Sequence, residues 1–237
     1  MIRKLKYRIK QLSGNIALLW AKLSLAVIAF FILLGLLIFL TRWIFYQRGS
    51  AVDQAVFGYM LPYVNHTNTV IMQFFTLLGS HWFLVPAYGL VFAWYLFIHK
   101  NKWYFIKALI TGVFGLLIMF GLKFYFNQSR PPIPLLKHVP GLSFPSGHAF
   151  MSLVFFGLFI YIVYRDMANK WLKWVTISSL LAIIFMVGLS RVYLRVHYAS
   201  DVCAGFCFGT LTLMILLWLV GQVEVFYLKK DLPLTVI

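Results

Sequence analysis

The chain has 237 residues, of which 62% are hydrophobic, 19% are aromatic and only 11% are charged. With a mean hydropathy of +0.89, these residues cannot all be buried in one soluble globule without leaving large apolar patches on its surface, which excludes that class of protein. The formal net charge of +16 comes from cations scattered over short polar stretches without a recognition motif, which excludes nucleic-acid binding as the function.

Six apolar stretches are predicted to cross a bilayer. Hydrocarbon about 30 Å thick needs about 20 mainly apolar helical residues for each crossing. The candidates, in chain order, are 23–41, 81–98, 104–122, 149–164, 171–189 and 202–221. The first is too long for the core of a signal peptide, and no small-residue cleavage site follows it. We therefore predict an all-α, polytopic membrane protein with six transmembrane helices, a single domain over residues 1–237 and a basic N-terminal stretch over residues 1–22.

Lysine and arginine residues predict how these spans are oriented. They are concentrated before the first span, between the second and third, between the fourth and fifth, and after the sixth. All four groups fall on the cytoplasmic side if both termini are cytoplasmic, which is what the positive-inside rule requires. The loops between spans one and two, three and four, and five and six are then expected to face outward.

A short helix is predicted between the first and second spans, over residues 51–65. Val52, Val56 and Met60 recur there at helical spacing beside the polar Asp53, a pattern typical of a helix that lies in the membrane interface. Such a helix would help to shape a lipid entrance. An ordinary amphipathic connector is the alternative.

Small residues mark the sixth span. Cys203 and Cys207 share a helix face, but without a second Cys or His pair they indicate packing rather than a metal site. Gly205 and Gly209 form a small-residue pair on the same helix, which favours close helix packing either within the chain or between the protomers of a homodimer.

Three polar clusters lie between the apolar stretches. They run from Lys123 to Pro131 (KFYFNQSRP), from Pro145 to His148 (PSGH) and from Ser190 to Asp201 (SRVYLRVHYASD). Together they hold histidines, cations, a carboxylate and a glycine turn, which are the groups needed to hold and attack a phosphate. With both termini cytoplasmic, all three clusters fall in the outer loops, so we expect them to meet.

The first two clusters contain groups that suit an anion. Lys123 and Arg130 are seven residues apart, so both cations would lie along one face if the third span continued outward as a helix. Ser146, Gly147 and His148 open the fourth span, where the free backbone N–H groups of a helix start face an anion.

The third cluster contains a candidate nucleophile. His197 and Asp201 are four residues apart, so the carboxylate can accept a hydrogen bond from one imidazole nitrogen and leave the other as a nucleophile or base. A magnesium-dependent phosphatase needs several carboxylates around its metal. Asp and Glu total only 5 in this chain, and only Asp53 and Asp201 are expected on the outer side. We therefore predict no metal and no cofactor, and turnover in the presence of a chelator.

The patterns K-x6-RP, PSGH and SR-x5-H-x3-D, in this order, resemble the three signature motifs of the type 2 phosphatidic acid phosphatase (PAP2) superfamily. That family includes membrane lipid phosphatases and the soluble vanadium haloperoxidases. The match runs from Lys123 to Asp201, within a motif core of about residues 100–225. Six apolar spans favour the membrane branch over a soluble haloperoxidase.

The resemblance implies a role for each motif residue. His197 would attack the phosphorus and form a phosphohistidine, Asp201 would orient His197, and His148 would protonate the departing lipid oxygen and then activate water. The residues that would hold the phosphoryl oxygens are Lys123, Arg130, Ser146, Gly147 and Arg191.

The expected function is therefore hydrolysis of a lipid phosphate or diphosphate at the extracytoplasmic face of a bacterial plasma membrane. Undecaprenyl diphosphate is favoured as substrate, since it must be dephosphorylated on that face; phosphatidylglycerol phosphate, phosphatidate and lipid A phosphates are the others. Phosphoryl transfer to a lipid or sugar acceptor, and non-catalytic binding or transport of a lipid phosphate, are the alternatives. His81 is interpreted as structural, and three residues near the clusters are candidates to contact a second phosphate or the headgroup: Lys137, His138 and Arg195.

Overall fold

The computed structural model describes residues 51–136 and 141–230, together with six residues between 32 and 42. In these parts of the chain the regular structure is entirely helical, which confirms the predicted all-α class. Five of the six predicted spans are confirmed as helices that are long and apolar enough to cross a membrane. The first predicted span, 23–41, lies mainly outside the described residues, as do Lys137 and His138.

Seven α-helices lie between residues 51 and 230. The first two are short and precede the five spanning helices. Their bounds are α1 Ala51–Met60, continued by a 3-10 turn at Leu61–Tyr63; α2 His66–Leu78; α3 His81–Ala93, continued by a π-helical turn at Trp94–Ile98; α4 Lys102–Phe126; α5 Gly147–Asp166; α6 Lys170–Tyr193; and α7 Ala199–Lys230.

The two short helices correspond only in part to the sequence prediction. A helix within residues 51–65 is confirmed as α1, while its position in the membrane interface stays a prediction. Helix α2 was not predicted, because the polar residues from Asn65 to Asn68 suggested a loop. They are instead a helix start: the side chain of Asn65 accepts a hydrogen bond from the backbone N–H of Asn68 at 2.9 Å, which makes Asn65 the N-cap.

Helix α5 lies at the centre of the bundle and packs against α4, α6 and α7. Ala149, Phe150 and Val154 have no exposed surface. Gly205 and Gly209 let α7 approach this helix closely, since a Cβ added to Gly205 would lie 2.7 Å from the backbone oxygen of Ser146. The small-residue pair therefore serves packing within the chain. It no longer supports a homodimer, which stays a prediction.

The third predicted span, 104–122, continues as a helix for only four more residues. Helix α4 ends at Phe126, because Asn127 adopts the left-handed conformation (φ 44°, ψ 45°) and its N–H bonds to the carbonyl oxygen of Lys123. Arg130 therefore lies in the following loop. The prediction that Lys123 and Arg130 lie along one helix face is wrong, although both cations reach the same cavity.

A second polar cluster joins the other ends of α4, α5 and α7. Lys107 has no exposed surface, and its Nζ lies 2.5 Å from Oε2 of Glu224, to which Arg165 also comes within 3.8 Å. Tyr104 donates a hydrogen bond of 2.6 Å to Asp166. These contacts fix the end of the bundle opposite the motif residues.

Candidate active site

The motif residues come together at one end of the bundle, beside a cavity of about 570 Å³. The cavity has a polar mouth and apolar walls. The mouth is lined by Lys123, Arg130, Gly147, His148 and His197, and the walls by residues of α3, α4 and α5 that include Leu84, Tyr88, Phe92, Val113, Leu116, Met119 and Phe120. Such a cavity can hold a charged headgroup at one end and a hydrocarbon chain along the rest.

His197 lies in the turn between α6 and α7 and is 1% exposed. Arg195, with a φ of 54°, allows the tight turn, and the backbone N–H of His197 donates to the carbonyl oxygen of Arg191. Nε2 of His197 lies 3.2 Å from Nη1 of Arg130. Because a guanidinium can only donate, Nε2 must accept, so the ring carries its proton on Nδ1. The Nε2 lone pair is therefore on the side of the cavity.

The other ring nitrogen of His197 faces a serine and a carboxylate. Nδ1 lies 3.3 Å from Oγ of Ser143 and 3.5 Å from Oδ2 of Asp201. Ser143 donates a hydrogen bond of 2.5 Å to the same Oδ2, which also accepts from the backbone N–H of Tyr198 at 3.0 Å. The carboxylate is thus held on three sides and orients the imidazole both directly and through Ser143.

Ser143 was missed by the sequence reasoning. It is a fully buried residue, and its backbone N–H donates to the carbonyl oxygen of Gln128 at 2.7 Å. A serine two positions before the PSGH cluster was the only signal in the sequence. Its position in the sequence does not distinguish Ser143 from an exposed loop serine, because its side chain contacts His197 and Asp201, which are far away along the chain.

Two cations are held by backbone oxygens at the cavity mouth. Nζ of Lys123 donates to the carbonyl oxygen of Leu142 at 2.6 Å. Arg130 donates from Nε to the carbonyl oxygen of Gly141 at 3.0 Å and from Nη1 to that of Val196 at 2.9 Å. Burial lowers the pKa of Arg130 from its ordinary value, while Asp201 opposes this change. The carbonyl oxygens of Gly141 and Leu142 therefore hold both positive charges at the same end of the cavity.

The third cation, Arg191, is on the last turn of α6 and is 3% exposed. Its Nη1 donates to Oγ1 of Thr76 on α2 at 2.5 Å. Its Nε is buried and has no hydrogen-bond partner within the described residues. Burying such a donor is costly unless a ligand satisfies it, so Arg191 has a hydrogen bond left for an anion.

The PSGH cluster forms the start of α5. Ser146 is the N-cap, and its backbone N–H donates to the carbonyl oxygen of Asp201 at 3.0 Å, which joins α5 to α7. A Cβ on Gly147 would lie 3.3 Å from Cε of Lys123, so a glycine lets the helix start approach this cation closely. The N–H groups of Gly147 and His148 have no intrahelical acceptor, as in any first helical turn, and suit an anion.

The charge state of His197 follows from its surroundings. Burial lowers the pKa of His197 well below its ordinary value, and the positive charges of Arg191, Arg130 and Lys123 lower it further. The imidazole is therefore neutral near pH 7. This charge state agrees with the tautomer set by Arg130, in which Nε2 has a lone pair to offer.

The remaining candidates have mixed outcomes. His81, interpreted as structural, also lines the cavity. Arg195 does not line it: its guanidinium lies over the ring of Phe57 at 5.7 Å, so the predicted contact of Arg195 with a second phosphate is not supported. No group of three or more His, Cys, Asp or Glu side chains in the described parts of the chain is arranged so that it could hold a metal ion. Cys203 and Cys207 are free thiols there.

Comparison with known proteins adds an independent observation. A family model described as the PAP2 superfamily matches residues 101–224. The chain is 30% identical over 165 residues to phosphatidylglycerophosphatase B of Bacillus subtilis (strain 168), which covers 68% of this chain and 78% of that protein. It is 31% identical over 138 residues to the bacitracin transport permease protein BcrC of Bacillus licheniformis, which covers 56% of this chain and 63% of that protein.

Two crystal structures resemble the fold. The transmembrane PAP2 type phosphatidylglycerolphosphate phosphatase from Bacillus subtilis superposes with a TM-score of 0.72 at 25% identity, over 82% of this chain and 96% of that one. LpxE of Aquifex aeolicus superposes with a TM-score of 0.52 at 25% identity, over 71% of this chain and 96% of that one.

Proposed function

Since the chain belongs to the PAP2 superfamily and is an integral-membrane lipid phosphatase of that family, we propose that it hydrolyses its substrate through a phosphohistidine on His197. The observation that carries this proposal is the 3.2 Å contact between Nε2 of His197 and Nη1 of Arg130, at a cavity also lined by Lys123 and His148. An imidazole held in this way is ready to attack an anion that the cations attract.

In the first step Nε2 of His197 attacks the phosphorus. Arg130 transfers its Nη1 hydrogen bond from Nε2 to a phosphoryl oxygen, which frees the lone pair. The N–P bond forms, the bond between phosphorus and the lipid oxygen breaks, and His148 gives that oxygen a proton. Lys123, Arg130 and Arg191 offset the charge that builds on the equatorial oxygens.

In the second step water attacks the phosphohistidine. His148 takes a proton from the water, the new P–O bond forms and the N–P bond breaks, so that inorganic phosphate leaves and His197 returns to its neutral form. From a lipid diphosphate the other product is a lipid monophosphate. From a lipid monophosphate it is the alcohol.

The apolar walls of the cavity support a lipid as the phosphate carrier. Leu84, Leu116 and Phe120, on α3 and α4, line the walls of the cavity, and burying hydrocarbon there is favourable. Phosphatidylglycerol phosphate is the first substrate to test, because a relative from Bacillus subtilis and a similar crystal structure from the same organism are named for that activity. Undecaprenyl diphosphate, favoured by the expected orientation, is the second.

The distribution of cations supports an extracytoplasmic site in a bacterial plasma membrane. Lys100, Lys102, Arg165 and Lys170 lie at the ends of α3, α4, α5 and α6 that are opposite the cavity mouth. The positive-inside rule assigns that end to the cytoplasm. We take residues 1–237 as one domain with this orientation.

Full-length protein in liposomes tests the proposal. Wild type should release phosphate from at least one of four lipids (phosphatidylglycerol phosphate, undecaprenyl diphosphate, phosphatidate and a lipid A phosphate) and should continue in a chelator. His197→Ala should bind the lipid and release none. Brief exposure to lipid with a radiolabelled phosphate should label wild type through an acid-labile, alkali-stable bond. Full release by His197→Ala would contradict the mechanism, whereas binding without release in wild type would indicate a lipid-phosphate binder.

A glycerol or sugar acceptor added to the same assay separates hydrolysis from transfer. Hydrolysis predicts that labelled phosphate appears only as inorganic phosphate at all acceptor concentrations. Label in the acceptor would instead assign the chain as a phosphotransferase that uses the same phosphohistidine.

A further inference from the structure

A carboxylate outside the three motif clusters is buried beside the catalytic turn. Asp53, on α1, is 4% exposed. Its Oδ1 accepts a hydrogen bond from the backbone N–H of Ser200 at 3.1 Å, and its Oδ2 accepts one from Oγ of Ser200 at 2.8 Å. An acidic side chain from one helix is therefore fixed to the first turn of another helix, 147 positions along the chain.

Ser200 lies in the first turn of α7, where backbone N–H groups have no intrahelical acceptor. A carboxylate that accepts from such a group acts as an N-cap and also opposes the positive end of the helix dipole. Asp53 supplies this cap from a separate helix. The position of the first turn of α7 thus depends on α1.

The capped turn carries the groups that hold the nucleophile. Ser200 directly precedes Asp201, whose Oδ2 binds Ser143 and faces Nδ1 of His197. The carbonyl oxygen of Asp201 also accepts from the N-cap residue of α5, Ser146. A shift of this turn would therefore move the carboxylate and the start of α5 relative to His197.

Further contacts of α1 surround the same turn. The ring of Phe57 lies 5.7 Å from the ring of Tyr198, and the guanidinium of Arg195 lies over the Phe57 ring at 5.7 Å from its centroid. Helix α1 therefore contacts the chain at positions 195, 198 and 200, on both sides of His197. It does not contribute to the lining of the cavity.

We propose that Asp53 is a positioning residue for the phosphatase reaction, because its cap on α7 holds Asp201 and His197 in their reactive arrangement. The proposal rests on the proposed function of His197 and extends it to a residue that does not touch the substrate. Since α1 is absent from the cavity lining, loss of Asp53 should reduce kcat and leave KM nearly unchanged. A displacement of about 1 Å in a catalytic group can cost about 100-fold in rate.

Three variants of α1, in the full-length protein in liposomes, test this role. Asp53→Ala removes both hydrogen bonds and should lower kcat about tenfold to 100-fold, with KM within about threefold of wild type. Asp53→Asn keeps an oxygen that can accept from Ser200 and should recover most of that loss. Gln54→Ala changes an exposed neighbour on the same helix and should match wild type. A kcat of Asp53→Ala that falls only in proportion to folded protein, or a KM that rises with it, would overturn the proposal.

Hydrogen exchange tests whether Asp53 stabilises the first turn of α7, and it does so without requiring turnover. Asp53→Ala should increase amide exchange at residues 198–202, with no increase at residues 216–227 of the same helix. Unchanged exchange at residues 198–202 would show that Asp53 does not hold the turn. Exchange that increases as expected in a protein that hydrolyses no lipid would support the cap and contradict the proposed function instead, so the two failures are distinguishable.

Discussion

Gly205 is the position where a single methyl group should disturb both stability and catalysis. A Cβ added there would lie 2.7 Å from the backbone oxygen of Ser146, whereas a carbon and an oxygen in contact are about 3.3 Å apart. Helices α5 and α7 would have to separate by about 0.6 Å. Overpacking costs about 1–3 kcal/mol, and we expect the upper end because the opposing atom is backbone. Alanine regains about 1 kcal/mol of helix propensity, so Gly205→Ala should lose about 2 kcal/mol.

Gly221→Ala is the matched control on the same helix, since nothing lies within 4 Å of its added Cβ. Thermal unfolding in detergent should place Gly205→Ala about 4–8 °C below wild type and Gly221→Ala at or above it. Because Ser146 caps the helix start that carries Gly147 and His148, kcat of Gly205→Ala should also fall about tenfold. If Gly205→Ala matched Gly221→Ala in both melting temperature and kcat, the close approach of α5 and α7 would be refuted.

Three more outcomes are expected. Thr76→Val removes the acceptor of Arg191, a hydrogen bond to a charged group worth about 1.5–3 kcal/mol. We expect vanadate to inhibit the wild type, because it can adopt the five-coordinate geometry of the transition state, and in Thr76→Val both kcat/KM and the affinity for vanadate should fall at least tenfold; unchanged vanadate inhibition would show that Arg191 needs no such support. Lys107→Met leaves Glu224 buried without its main partner and should cost about 3–5 kcal/mol in detergent unfolding, most of which Lys107→Met with Glu224→Leu should recover. Because the pKa of His197 is lowered and the proposed mechanism needs its neutral imidazole, kcat/KM should stay constant as the pH falls through 6.5 and decline only well below that value; a decline that begins above pH 6.5 would contradict the assignment.

The spans were predictable because the bilayer fixes their length and hydropathy. The stretch predicted at 81–98 coincides with the helical residues His81–Ile98. The last span was predicted to end at 221, yet α7 continues past Glu224, whose carboxylate is paired with Lys107, 117 positions earlier in the chain. Sequence hydropathy counts the charge of Glu224 and cannot count its partner.

The candidate site was predictable to the extent that its residues belong to local patterns. Lys123, Arg130, His148 and His197 line one cavity, while their assigned roles stay predictions until the variants are measured. The path of Arg130 was not predictable, since a single left-handed residue, Asn127, ends α4 before the chain reaches it. Spacing along the sequence predicts which residues share a helix face only as far as the helix continues.

Two of the contacts that sequence reasoning missed have a common origin. Thr76 binds Arg191, and Asp53 binds Ser200; both come from the segment before the second span, which holds none of the motif clusters. A cation or a nucleophile can be recognised from its residue type. The groups that orient it are ordinary polar residues, and only their position in the fold shows their role. If these cations hold the phosphate as proposed, such second contacts decide how each charge is oriented towards the phosphorus. We therefore expect variation in residues 51–80 to change turnover in this chain even when all three motif clusters are intact.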